Sequence, residues 1–220
     1  MKHFRTLIIF VFAILSSCGT VTRESVTLPS APPKQPVDRY TTLNYQSANG
    51  DLYEKYLVRI DSYTTKGNVY HEKHIKYLRG IAEILTVGKH FNVSEQSIGF
   101  YYDKVKNEKE KLYLGLDIQS KSDEVSTGAT YIENGRGLVT IYVQPVLSVL
   151  RSYEDILSED EIEGVVIALY WTQSSKKEFV TIWFSKQNVK DYFNGHMTLN
   201  ELIIKSTITN TEGKQIRLAL

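Results

Sequence analysis

His71 and His74 stand three residues apart with Glu72 between them, and two imidazoles on one helical turn can share a metal ion. The pattern is one residue short of His-Glu-x-x-His, the spacing that sets two zinc ligands one turn apart. On a helical wheel both histidines project toward the apolar stripe of their own segment, and Glu72 points to its polar side. His90 falls on the opposite side of that segment and His196 in a loop, so neither supplies an obvious third ligand. The spacing predicts a partly buried tyrosine-and-histidine surface, with no metal and no cofactor.

Carboxylates offer two further patterns. Glu154, Asp155, Glu159, Asp160, Glu161 and Glu163 cluster as calcium ligands do, but without the alternating Asp or Asn and central glycine of a calcium loop. Ser158 and Glu161 fit a helix start, where acids are favoured by the positive end of the helix dipole. Asp117 and Asp123 are available as paired acids for glycoside hydrolysis, a chemistry that depends on a separation in space that sequence does not fix. No serine sits in Gly-x-Ser-x-Gly, and the only thiol is Cys18. Gly135-Arg136-Gly137 reads as a turn before a strand rather than a phosphate loop, which needs more glycines and a following helix. No catalytic residue is assigned.

Cys18 is preceded by Lys2 and Arg5, an apolar run from Thr6 to Leu15, and the small pair Ser16-Ser17. A positive start, a short apolar core and small residues make a secretory signal, and the core is about half of the roughly 20 residues a membrane span requires. The segment Leu15-Ser16-Ser17-Cys18 resembles the lipobox of bacterial lipoproteins, a resemblance confined to residues 1–19. It implies that a diacylglyceryl group is placed on the Cys18 sulfur, that a peptidase cuts before Cys18, and that the freed amine is open to acylation. Gly19 stands where an aspartate would, in the Gram-negative sorting scheme, imply inner-membrane retention. The resemblance therefore favours the outer membrane, with the domain facing the periplasm. A lone cysteine also leaves an exported domain no internal disulfide.

Between Gly19 and Pro36 lie four of the five prolines, Pro29, Pro32, Pro33 and Pro36, which favour an extended chain. The expected organisation is a signal peptide over 1–17, a lipid anchor and proline-rich tether over 18–39, and one globular domain over 40–220. Among 26 Lys and Arg against 25 Asp and Glu, loss of residues 1–17 removes Lys2 and Arg5, so the net charge moves from +1 to −1. Such a balance argues against nucleic acid, which needs a concentrated basic face.

The elements that must carry any site follow from periodicity. Leu52 to Thr65 and Val69 to Lys89 place apolar residues on single stripes and predict an N-terminal helical hairpin, with Gly67-Asn68 as the stop between them. Beyond Asn92 the period is two. Ile98, Phe100 and Tyr102 pair with Leu112, Leu114, Leu116 and Ile118 as one predicted hairpin, and Val165 to Trp171 pair with Val180 to Phe184 as another. Strands over Leu138–Val143 and Gln215–Leu220 bring the count to six. Short helices are expected over Val146–Leu157 behind Pro145, over Gln187–Phe193, and over Leu202–Lys205 behind Thr198 and Glu201. This order predicts an α+β fold, a mainly antiparallel sheet with helices packed on it.

Two functions of different class follow. The expected one is a lipid-anchored, non-enzymatic binding or scaffolding protein that meets an envelope protein or cell-wall partner through aromatic positions such as Tyr101, Tyr113, Trp171 and Trp183. The alternative is an envelope hydrolase or metal-dependent enzyme built around His71, His74 and nearby carboxylates.

Overall fold

The computed structural model describes residues 50–59, 64–103 and 108–218. The chain divides into Met1–Lys34 and Gln35–Leu220, and every described residue belongs to the second unit. Cys18 and the expected tether lie outside the described residues.

The first helix, α1 (Gly50–Glu54), is short. The helix expected over Leu52–Thr65 ends there, because Leu57 forms a parallel bridge to Ile98 and the Val58 N–H donates to the Ile98 carbonyl at 2.9 Å. Tyr56, Val58 and Ile60 also alternate at the strand period of two, and pairing of Leu57 and Val58 with Ile98 prevails over the helical stripe; Ile60 to Tyr63 lie outside the described residues. The long helix α2 (Thr65–Glu83) begins at Thr64, whose hydroxyl accepts from the Gly67 N–H at 3.1 Å, and runs into a π-turn at Ile84–Gly88. Gly67 and Asn68 are thus the first turn of this helix rather than a stop. Its predicted stripe is borne out, with Leu78, Ile81, Ala82 and Leu85 fully buried.

Seven strands form one sheet among the described residues. β1 (Asn92–Val93) and β2 (Gly99–Tyr101) both pair antiparallel with β3 (Leu112–Gln119), in the hairpin arrangement predicted for Phe100 and Leu114. From β3 the chain crosses over through α3 (Tyr131–Arg151) to β4 (Ile162–Gln173), which lies parallel to β3. A parallel pair requires such a crossover. This overturns the strand over Leu138–Val143 and the separate helix behind Pro145, which are one 21-residue helix; the sheet is mainly antiparallel but not purely so, β3 and β4 being its parallel pair among the described strands. Leu138, Tyr142, Val146 and Leu150 recur at helical spacing and are buried. Thr130 and Glu133 close the start of the helix with a reciprocal capping box, and Pro145 is carried inside. Gly135 lies in its first turns, where a Cβ would come within 3.3 Å of Val180, so the absence of a side chain lets the helix sit close on the sheet.

β4 returns as β5 (Lys176–Ser185) through Ser174 and Ser175, both at positive φ. Two central residues of that hand make the tight turn whose twist matches an antiparallel hairpin. The helices α4 (Lys186–Phe193) and α5 (Leu199–Ile204) follow, the second opened by the capping box expected from Thr198 and Glu201. β6 (Thr207–Thr209) pairs with β5, and β7 (Gln215–Ile216) closes the sheet edge, shorter than the strand expected to reach Leu220.

Side chains alternate across the sheet. Leu114, Leu116 and Ile118 of β3, Val165, Ile167, Leu169 and Trp171 of β4, Val180, Ile182 and Phe184 of β5 and Ile208 of β6 share the face beneath the helices. Each such aliphatic or aromatic burial is worth about 1.5–3 kcal/mol. All belong to one core cluster with α2 and α3. Val166 and Ala168, buried on the other side of β4, do not belong to it.

Candidate functional site: the second face of the sheet

The face turned away from the helices is organised in rows that run across the strands. Asp117, Ala168, Thr181, Thr209 and Gln215 are successive partners from β3 through β4, β5 and β6 to β7. This row is small or polar throughout. On one side of it Gly115, Val166, Trp183 and Thr207 form the next row, followed by Tyr113, Gly164 and Ser185. On the other side stand Gln119, Tyr170 and Phe179.

Aromatic rings pair along both borders. Tyr113 and Trp183 meet edge to face at 4.9 Å, with Gly164 and Val166 of β4 between them, and Tyr170 and Phe179 lie 5.0 Å apart. Edge-to-face and tilted pairs at such separations are attractive beyond the area they bury. A Cβ on Gly164 would lie 1.9 Å from the Phe184 carbonyl oxygen, and one on Gly115 would lie 2.4 Å from the Tyr101 ring. Only glycine allows Tyr101 to lie across the strand there, with its hydroxyl donating to the Ser97 carbonyl at 2.6 Å. The aromatic border therefore rests on two glycines.

Asp117 opens the polar row. Burial pushes its carboxyl up to about 6 from an ordinary 3.8, partly offset by Lys177 and the Tyr170 hydroxyl. The Lys177 ammonium stands 4.5 Å from the centre of the Tyr170 ring, a cation–π contact that brings the charge near the carboxyl. Burial, with Asp117 second, raises the Tyr170 phenol to about 12. The Tyr170 hydroxyl hydrogen-bonds the Asp117 carboxyl, and this bond with the Lys177 charge offsets only part of the effect of burial. A buried carboxyl shifted by desolvation, with one charge and one hydroxyl beside it and outside the core cluster, is a candidate functional group.

The histidines take a different place. His71 and His74 are buried, at 3% and 7% exposure, on the apolar side of α2, as the sequence predicts. His74 stacks on Tyr70 and packs on Tyr77 and Phe100, and its Nε2 lies 3.2 Å from Glu159 Oε1. Glu159 also receives Lys73 at 2.7 Å, which with His74 holds its carboxyl below the usual range. Tyr70 donates to Glu161, and Lys66 lies 3.6 Å from the same carboxylate. Ser158 and Glu161 thus start no helix: Ser158 ends a short 3-10 helix over Glu154–Ser158, and Glu161 leads into β4 as a tie to α2. Burial lowers both histidines toward the neutral form. Glu72, His90 and His196 are exposed. Among the described residues no group of three His, Cys, Asp or Glu side chains is placed to hold a metal.

Other expectations are redistributed. Asp117 and Asp123 sit on separate elements, the second exposed on a 3-10 turn at Ser122–Glu124. Gly135-Arg136-Gly137 is helical rather than a turn before a strand. Trp171, expected to be exposed, is fully buried in the core, where it packs on Tyr131 and donates to Gln173 at 3.2 Å. Tyr101, Tyr113 and Trp183 are half-buried on the second face. Tyr170, Phe179, Thr181 and Thr209 join them unforeseen. The signal for them was present, since Val166, Ala168 and Tyr170 make β4 apolar on both faces, a pattern of central strands.

Among the described residues no helix is long and apolar enough to cross a membrane. Comparison of the chain with protein-family models, with curated proteins and with solved structures yields no match.

Proposed function

We propose that this chain is a bacterial cell-envelope lipoprotein, anchored through Cys18 and facing the periplasm from the outer membrane, whose role is binding rather than catalysis. The observation that carries the binding role is the second face of the sheet, where two aromatic pairs border a polar row and stand apart from the core cluster. Aromatic bodies with polar tips are the side chains recognition surfaces favour. The rows of this face hold one carboxyl, Asp117, whereas hydrolysis by paired acids needs two. His74 and Glu159, the best placed residues for metal chemistry, are instead spent on packing and ion pairing with Lys73.

A photoreactive amino acid at Thr181, in the polar row, is expected to crosslink the protein to envelope material in intact cells. The same group at exposed Val69 on α2 serves as the control. Crosslinks from position 181 alone support the binding face; equal yields from both positions, or none from 181, count against it.

A further inference from the structure

We infer that the second face binds a linear chain of uncharged pyranose sugars laid across the strands, along the row from Asp117 to Gln215. This inference rests on the binding role proposed above and names its ligand class. Three observations bear on the class. The floor of the row is Asp117, Ala168, Thr181, Thr209 and Gln215; Asp117 is engaged by the Tyr170 hydroxyl and Ala168 is small and buried, so two hydroxyls and an amide are what the row offers a ligand. Among the described residues the hydroxyls of Thr181 and Thr209 make no hydrogen bond and remain available to a ligand. The borders are Trp183 with Tyr113 and Tyr170 with Phe179.

A protein partner fits this relief poorly. Protein interfaces concentrate large aromatic anchors at the centre and polar groups at the rim, and here the polar groups are central and the rings peripheral. A pyranose chain presents hydroxyls at its edges and C–H surfaces on its faces, which matches hydrogen-bonding groups beside aromatic walls. Size agrees. With strands about 4.8 Å apart, five strands give a row of roughly 19 Å, and the borders stand about 13 Å from each other along the strands. That is room for a chain of several rings, one wide. The carboxyl at one end and Lys177 beside it balance each other, so the row presents no strong net charge to a ligand.

The test uses the full lipidated chain in detergent and calorimetric titration with β-1,4-linked hexamers of N-acetylglucosamine and of glucose, and with the corresponding dimers. At least one hexamer is expected to bind, with its dimer at least tenfold weaker. T181V, which removes one hydroxyl at constant shape, and F179A, which removes one wall, are each expected to weaken the hexamer at least threefold with the circular dichroism spectrum unchanged. The surface change I204S on α5 should leave it unaffected. Absence of binding by both hexamers, or affinity that both face variants retain, overturns the inference. Crosslinks from position 181 to a protein, together with no hexamer binding, would refute the sugar ligand while leaving the binding face standing. Loss of both results would remove both.

Discussion

Cys18→Ala is expected to abolish mature, membrane-bound protein: the variant should be recovered uncut or in the soluble fraction. The argument is chemical. The thiol of Cys18 is the only one in the chain, and without it no thioether to a diacylglyceryl group can form. Each buried methylene contributes about 0.8 kcal/mol to membrane attachment, but one acyl chain alone holds a protein only marginally. Under the proposed anchor two or three chains on Cys18 would make the attachment effectively permanent, so their loss is expected to be an all-or-none change rather than a graded one. No second attachment is offered by the charge balance, since the chain after residue 17 has a formal net charge of −1 and no basic excess for anionic lipid. Cell fractionation with a mass measurement on the product decides the matter. Recovery of the C18A protein cut and membrane-bound would contradict the anchor.

Asp117→Asn is expected to stabilise the protein by about 2 kcal/mol at pH 7.5, or roughly 4–8 °C in Tm for a chain of this size. Its carboxyl titrates near 6 in the folded protein against an ordinary 3.8, raised first by burial. Between those two values the folded state keeps a proton that the unfolded chain has released, so stability falls as pH rises through the interval. Above 6 the ionised carboxylate is held at a cost of about 2–3 kcal/mol. The groups facing it are Lys177 and Tyr170, and neither removes that cost. At pH 4 the wild-type carboxyl is protonated and the advantage of D117N should vanish.

His71 and His74 act in the opposite direction. Burial lowers both, so their contribution is full above their ordinary 6.5 and is lost as pH falls below it. They are present in both proteins, and the difference between the two melting curves isolates Asp117. A D117N advantage that is the same at pH 4 and pH 7.5 would contradict the burial argument.

The parts of this fold that local pattern determines were legible. Leu112 to Ile118 alternate because one side of β3 is core, and Thr198 with Glu201 opens a helix because the two satisfy each other's backbone N–H groups. Helix α3 was not legible as one element. Gly135, Gly137 and Pro145 suggest turns, yet Gly135 serves close packing on Val180 and tertiary burial of Leu138, Tyr142 and Val146 outweighs the helix-breaking tendencies. The parallel pairing of β3 with β4 depends on where that crossover returns, a long-range choice that short-range alternation does not encode. Burial of His74 was legible from the stripe, but its meeting with Glu159 was not, since the two are brought together only by the docking of α2 beside the start of β4.

The second face shows the same division. Tyr113 and Trp183 could be picked out as aromatic candidates, but the row that joins Asp117 to Thr181 and Thr209 exists only through the register of four strands. Trp171 differs from Trp183 by the alternation of faces alone: one belongs to the core side of its strand and the other to the second side.

That difference supplies the most direct measurement of whether the second face is free in the whole chain. Trp171 and Trp183 are the two tryptophans, so W171F and W183F each leave a single emitter. In the W171F protein, acrylamide should quench the remaining Trp183 readily; in the W183F protein, the remaining Trp171, at 0% exposure, should resist it. Equal shielding of the two in the full chain would contradict an uncovered sheet face and the binding role proposed for it.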